Sequence, residues 1–140
     1  MQKSYGMPKI LLVILILTLQ SCYSKKERNC INFKIGTFEF EALVGTEIKK
    51  TRFIRNDSIE IDYYDNKIDT FSIRWVNDCE YVMKKLHPKN QAEKEAVLFK
   101  ILSTQGAIYT FEYSMLIKKR NQKKVVRQGT AVKISSEIVN

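Results

Sequence analysis

From Gly36 onward apolar and polar residues alternate with a period of two, and no other feature constrains the fold as much. Successive side chains of a strand point to opposite faces, so a chain patterned this way builds sheets with one face buried. In "GTFEFEA" Phe38, Phe40 and Ala42 share one face, opposite Thr37, Glu39 and Glu41. Gly36 inside this run marks a bulge or a close backbone approach. "IKKTRFIR", Ile48 to Arg55, is a second strand with enough charge that half of it is solvated. "SIEIDYY" sets Ile59, Ile61 and Tyr63 against Glu60, Asp62 and Tyr64; the first row is expected inward and the second outward. Phe71, Ile73 and Trp75 form another inward row, followed by Cys79, Tyr81 and Met83 and later by Tyr109, Phe111, Tyr113 and Met115. "VLFKILS" and "VVRQGTAVKI" supply two more strands. Asn56-Asp57, Asp65 to Lys67, Asn77-Asp78 and Gln105-Gly106 are turn signals between these runs. Only residues 87–96 break the rhythm, and "NQAEKEA" there predicts a single helical turn or a long loop.

About eight strands joined by short turns, with almost no helix, give an all-β, antiparallel up-and-down meander. Such a meander must hide its edge strands. Closure into a barrel of lipocalin-like type does so; a two-sheet sandwich is the alternative. An eight-stranded barrel is either filled by side chains or just wide enough for one small ligand. Phe38, Phe40, Phe71, Trp75, Tyr81, Phe111 and Tyr113 are expected to line a cavity, or to pack as core where there is none.

The first 21 residues stand outside the pattern. "MQKSYGMPK" carries Lys3 and Lys9 and no acid, and an apolar run follows from Ile10 to Leu17. That run is shorter than the roughly 20 residues of a spanning helix and has the layout of an export signal, an uncleaved anchor being the alternative. Leu19-Gln20-Ser21-Cys22 resembles the bacterial lipobox, with Gln20 where a small residue is usual. The resemblance implies that Cys22 is acylated and opens the mature chain, and several acyl chains anchor stably to a membrane. Residues 22–31 then form a lipidated tether and 32–136 the barrel domain. Tyr23 after the lipidated position, rather than Asp, implies sorting to the outer membrane of a Gram-negative cell.

An exported chain meets oxidising surroundings. With Cys22 modified, Cys30 and Cys79 have a single way to pair, so a disulfide is expected; two separate buried thiols are the alternative.

"CINFKIGTFEF", "TRFIRNDSIEIDYY", "SIRWVNDCEYVMKKLHPKN" and "TFEYSML" together resemble the small uncharacterised lipoproteins of Bacteroidota with a lipocalin-like barrel domain. The stretch Arg74 to Tyr81, "RWVNDCEY", is the most specific part. The resemblance covers most of the chain after Cys22 and implies no catalytic residues. Some members bear the name DNA topoisomerase IV, which this chain does not support: it is far too short and has no nucleotide-binding loop.

The chemistry that can be excluded is extensive. His87 is the single imidazole, so no multi-histidine metal site forms, and the cysteines are spoken for. Asp57, Glu60, Asp62, Asp65 and Asp69 lack the spacing of a calcium loop and read as a solvated face. No nucleophile motif stands around any Ser, and nothing favours a glycosidase-type carboxylate pair. No catalytic residue, metal or cofactor is therefore assigned. The chain carries a net charge of +9, with a basic loop at Lys118, Lys119, Arg120, Lys123 and Lys124. This loop reads as a solvated hairpin connection or as a contact for phosphate-rich headgroups or an acidic partner. Aromatic residues are not interleaved with it, so nucleic acid is not an expected partner. The expected protein is non-enzymatic and lipid-anchored in the envelope, binding a small apolar ligand or a partner protein. The alternative is a structural or inhibitory module that contacts envelope polyanions or a protein through basic loops.

Overall fold

The computed structural model describes residues 27–117 and 120–137. Eight antiparallel strands follow one another around a closed barrel: β1 Gly36–Val44, β2 Glu47–Arg55, β3 Ile59–Tyr64, β4 Lys67–Asn77, β5 Glu80–Lys85, β6 Val97–Gln105, β7 Ile108–Met115 and β8 Arg127–Ser135. β8 returns to pair with β1, which leaves no free edge and excludes the sandwich. Short 3-10 helices at Cys30–Phe33 and Ala92–Lys94 are the helical segments among the described residues. None of them is long and apolar enough to cross a membrane.

Turn chemistry sets the meander. The Asn56 side-chain oxygen accepts from the amides of Ser58 (3.0 Å) and Ile59 (2.8 Å). The Asn77 oxygen accepts from the amide of Cys79 at 2.9 Å. Asp65 and Asn66 take positive φ angles of 44° and 58°, the left-handed pair that a two-residue hairpin needs between β3 and β4. Gly36, at φ 140°, lies where a Cβ would come within 2.5 Å of the Ser135 carbonyl, and the β1–β8 register shifts one step later.

Because strands alternate in direction, the turns after β2, β4 and β6 share one end of the barrel, and the connections after β1, β3, β5 and β7 share the other. The first end is closed. The Cys30–Phe33 helix sits across it with both Cys30 and Phe33 buried. The expected Cys30–Cys79 disulfide ties this plug to the β4–β5 turn. Phe33 packs on Tyr109 at 5.0 Å, and Phe38, Phe53, Ile101, Phe111 and Ala131 complete the cluster. Contacts begin earlier than the tether expected over 22–31 would allow: the Glu27 carbonyl accepts from the Thr104 amide, and the Asn29 amide donates to Thr104 Oγ1, both at 2.8 Å. The chain therefore enters the barrel at its closed end. Residues 1–21, expected as an export signal, and Cys22, Lys118 and Lys119 lie outside the described residues.

Candidate functional site

Inside the barrel, above the plug, lies a cavity of about 300 Å³. Its floor is Phe53, Arg55, Glu60, Tyr81 and Tyr109, all buried, whereas Thr51, Tyr64 and Asp69 higher on the wall are only half-buried. The cavity therefore opens at the end away from the plug, where the connections spanning 86–96 and 116–126 stand.

Arg55 anchors the floor. It is 1% exposed, and its guanidinium lies over the rings of Tyr81 (4.6 Å), Phe53 (5.1 Å) and Phe38 (5.2 Å). Its Nε donates to Glu60 Oε2 in a buried ion pair. Nη1 donates to the Phe33 carbonyl at 3.2 Å, and Nη2 to the hydroxyls of Tyr81 (2.7 Å) and Tyr109 (3.4 Å). One side chain thus joins the plug to β2, β3, β5 and β7. Burial, the largest single effect, would lower the pKa of Arg55; the Glu60 charge, the two tyrosines and the hydrogen bond to Glu60 together outweigh it, and the pKa rises well above the usual value. Burial likewise raises both tyrosines, Tyr109 to about 12, against the pull of Arg55. The floor is thus a fixed charge pair with neutral phenols.

The wall above it has two characters. β1, β6 and β7 contribute Phe40, Phe99, Phe111 and Tyr113. Phe99 stacks on Tyr81 at 5.1 Å and on Tyr113 at 5.4 Å, and Phe111 meets Phe40 edge-on at 6.0 Å. Gly129, opposite Phe111 in the β7–β8 ladder, leaves room for that ring: a Cβ there would lie 2.7 Å from Phe111 Cζ. β3 and β4 contribute the acids. Asp62 stands directly across from Asp69, and Glu60 across from Phe71. Asp69 is engaged by the Tyr64 hydroxyl at 2.6 Å and by Lys85 at 2.9 Å, and these partners hold its pKa below the usual range against the effect of burial. Lys85 also reaches Glu93 at 3.2 Å, tying the Ala92–Lys94 helix to the mouth. Asp62 differs: its Oδ1 is buried and has no hydrogen-bond partner. Burial, then the charge of Glu60, raise its pKa to about 8, with Arg55 opposing and Asp69 adding.

Placed against expectation, five of the seven aromatic residues line the cavity: Phe40, Phe71, Tyr81, Phe111 and Tyr113. Phe38 and Trp75 do not. Phe38 is wholly buried beneath the floor, stacked on Phe53 at 5.1 Å, and Trp75 packs on Tyr81 at 4.7 Å. The acidic stretch is corrected more sharply. Glu60, Asp62 and Tyr64 face the interior, and Ile59, Ile61 and Tyr63 form the outer row. The reason is register: the turn at 56–58 sets Glu60 opposite Arg55, whose inward position follows from Phe53 two residues earlier. Arg55, Glu60, Asp62 and Asp69 were thus missed as cavity residues. Arg120, Lys123 and Lys124 are exposed on the β7–β8 connection at the open end, and His87 is exposed on the β5–β6 connection. Among the described residues no group of three ligating side chains is placed to hold a metal ion.

Compared with family models, curated proteins and solved structures, the chain finds no match.

Proposed function

We propose that this chain is a lipid-anchored envelope protein whose barrel binds a small, partly apolar molecule. The observation that carries the reading is the cavity of about 300 Å³, closed by the plug at one end and open at the other. A barrel folded for rigidity alone would fill this space, since interiors pack nearly without voids. Aromatic walls with a few polar groups are the usual make-up of a ligand site. The entry of the chain at the closed end supports the anchoring half of the proposal. Cys22 lies only a few residues before Glu27, so acyl chains there would hold the plug toward the membrane and leave the mouth free.

Two measurements test this. The uncharged fluorophore N-phenyl-1-naphthylamine should bind the intact protein with an emission increase, and Thr51→Trp, which adds bulk to the wall, should abolish that binding while leaving the circular dichroism unchanged. Fatty-acid labelling in the host should be lost in Cys22→Ser. An intact protein that takes up no apolar probe, and retains no small molecule in native mass spectrometry, would end the carrier reading.

A second reading, contact with an envelope polyanion, is favoured by the exposed Arg120, Lys123 and Lys124 beside exposed Ile117, Val125 and Val126 at the mouth. Salt-sensitive binding to anionic vesicles, lost when the three cations are neutralised, would support it.

A further inference from the structure

The acid-lined wall narrows the class of ligand, on the premise that the cavity is a binding site as proposed above. Three carboxylates, Glu60, Asp62 and Asp69, share one inner face of two neighbouring strands, an arrangement in which like charges repel. Two of them have protein cations as partners: Arg55 for Glu60 and Lys85 for Asp69. The third has none. Asp62 Oδ1 is buried without a hydrogen-bond partner, and a buried orphan acceptor opposes folding unless something supplies a donor. Phe71, which pairs with Glu60 on the neighbouring strand, lines the same cavity and offers a ring that attracts a cation, whereas the rings of Phe53 and Tyr81 already carry Arg55.

We propose that the ligand is a small molecule with an aromatic or aliphatic body and one protonated amine, the ammonium donating to Asp62 Oδ1 while the body lies against the ring wall of β1, β6 and β7. An anionic ligand would meet the acids, and among the described residues the cation lining the cavity, Arg55, is already paired with Glu60. A purely apolar one would leave the orphan oxygen buried under it.

The charges around Asp62 also dictate how binding responds to pH. Glu60 and Tyr64 flank it on β3, Arg55 faces it from β2, Asp69 from β4, and Lys85 and Tyr81 stand on β5. Arg55, Lys85, Tyr81 and Tyr109 keep their protonation from pH 6 to 8.5, because their pKa values are raised above already high ordinary ones. Asp69 stays ionised there, its own pKa being lowered. Asp62, held near 8, is the group that changes. In the empty cavity it carries a proton at neutral pH, and an ammonium ligand displaces that proton to solvent. Amine affinity therefore rises with pH across this window, and binding at pH 7 releases close to one proton.

The test is displacement of N-phenyl-1-naphthylamine from the intact protein by three probes of matched body: 2-phenylethylamine, 2-phenylethanol and 3-phenylpropanoate. At pH 8 the amine should bind at least tenfold more tightly than the alcohol, with the carboxylate weakest, and the preference should shrink at pH 6. Asp62→Asn should bring the amine down to the alcohol while leaving the alcohol within threefold. Equal binding of amine and alcohol to the unaltered protein, or an amine preference that survives Asp62→Asn, overturns the proposal while leaving the carrier reading intact. Failure of the fluorophore and all three probes to bind overturns both.

Discussion

Replacing Asp62 by Asn keeps the shape of the side chain and removes its titration, and the variant should become progressively more stable than the parent as the pH rises. In the folded protein burial and the Glu60 charge raise the Asp62 pKa from 3.8 to about 8, with Asp69 adding and Arg55 opposing. In the unfolded chain the same carboxyl ionises near 3.8. Between those values the folded state keeps a proton that the unfolded chain has released. The stability that Asp62 contributes is therefore fully present below pH 3.8 and is lost as the pH rises through about 8. The gap is worth on the order of 6 kcal/mol in total, of which ~4 kcal/mol falls between pH 5 and pH 8. The carboxamide of the variant has no such proton to lose. Groups remote from the cavity titrate alike in the two proteins, and Tyr64, Tyr81 and Tyr109, on which the Asp62 charge acts, stay protonated over this range, so the difference between the unfolding free energies reports Asp62 together with the carboxyls coupled to it. The assay is urea unfolding followed by fluorescence of the single Trp75, at unit steps from pH 5 to pH 8. The advantage of Asp62→Asn should grow by ~4 kcal/mol over that range. A difference that stays level, or shrinks with rising pH, would show Asp62 ionised in the empty barrel and refute the reasoning about its charge.

Three further perturbations probe the frame. Arg55→Met leaves Glu60 buried without its cation and should cost about 3–5 kcal/mol in urea unfolding, with the double variant Arg55→Met, Glu60→Gln recovering part of the loss. Removing the disulfide by Cys30→Ala with Cys79→Ala frees a loop of 49 residues' separation and should lower stability by about 4 kcal/mol, read as a fall in the urea midpoint. Gly129→Ala puts a Cβ 2.7 Å from Phe111 Cζ and should cost about 1–3 kcal/mol in thermal unfolding, with a weaker response to N-phenyl-1-naphthylamine as the ring is pushed into the cavity.

The barrel was legible because its information is local. Alternation declares each strand, Asn and Asp declare the reversals after β2, β3 and β4 and glycines those after β1 and β6, and eight consecutive antiparallel strands close on themselves to remove the edges. The disulfide was legible because lipidation of Cys22 would leave one pair of thiols. The plug was less so. "CINF" carries no strong helical signal, and it folds as a 3-10 turn because the bridge to Cys79 and the Arg55 bond to the Phe33 carbonyl hold it across the barrel end. Phe38 and Trp75 share the inward phase of the lining residues, but depth along a strand, which decides between floor and wall, is set by plug placement and ladder stagger.

The acid wall shows where strand-by-strand reading fails and what would replace it. In "IEIDYY" the Ile–Ile–Tyr row is the more apolar, yet it faces outward and stays half-buried, Ile61 lying beside the buried Ile54 on the outer face of the sheet. Hydrophobicity compares the two faces of one strand in isolation, whereas a barrel fixes parity through its neighbours. Phe38 pairs with Phe53 on the inner face, so Arg55, two residues on, is inward; the turn at 56–58 then sets Glu60 opposite Arg55, and Asp62 follows. Parity carried through tight turns would have placed the acids inside, up to the bulges at Trp75/Asn77 and Ile101/Ser103, where the count must be restarted. The same path explains why the inverted row persists. Arg55 requires one buried carboxylate, and Glu60 supplies it. Asp62 Oδ1 has no hydrogen-bond partner among the described residues, and its burial opposes folding at neutral pH. On the proposed reading, a residue that destabilises the empty barrel and faces an aromatic cavity has its compensation in what the cavity holds, which is why the stability advantage of Asp62→Asn and the amine preference of the parent should rise together with pH.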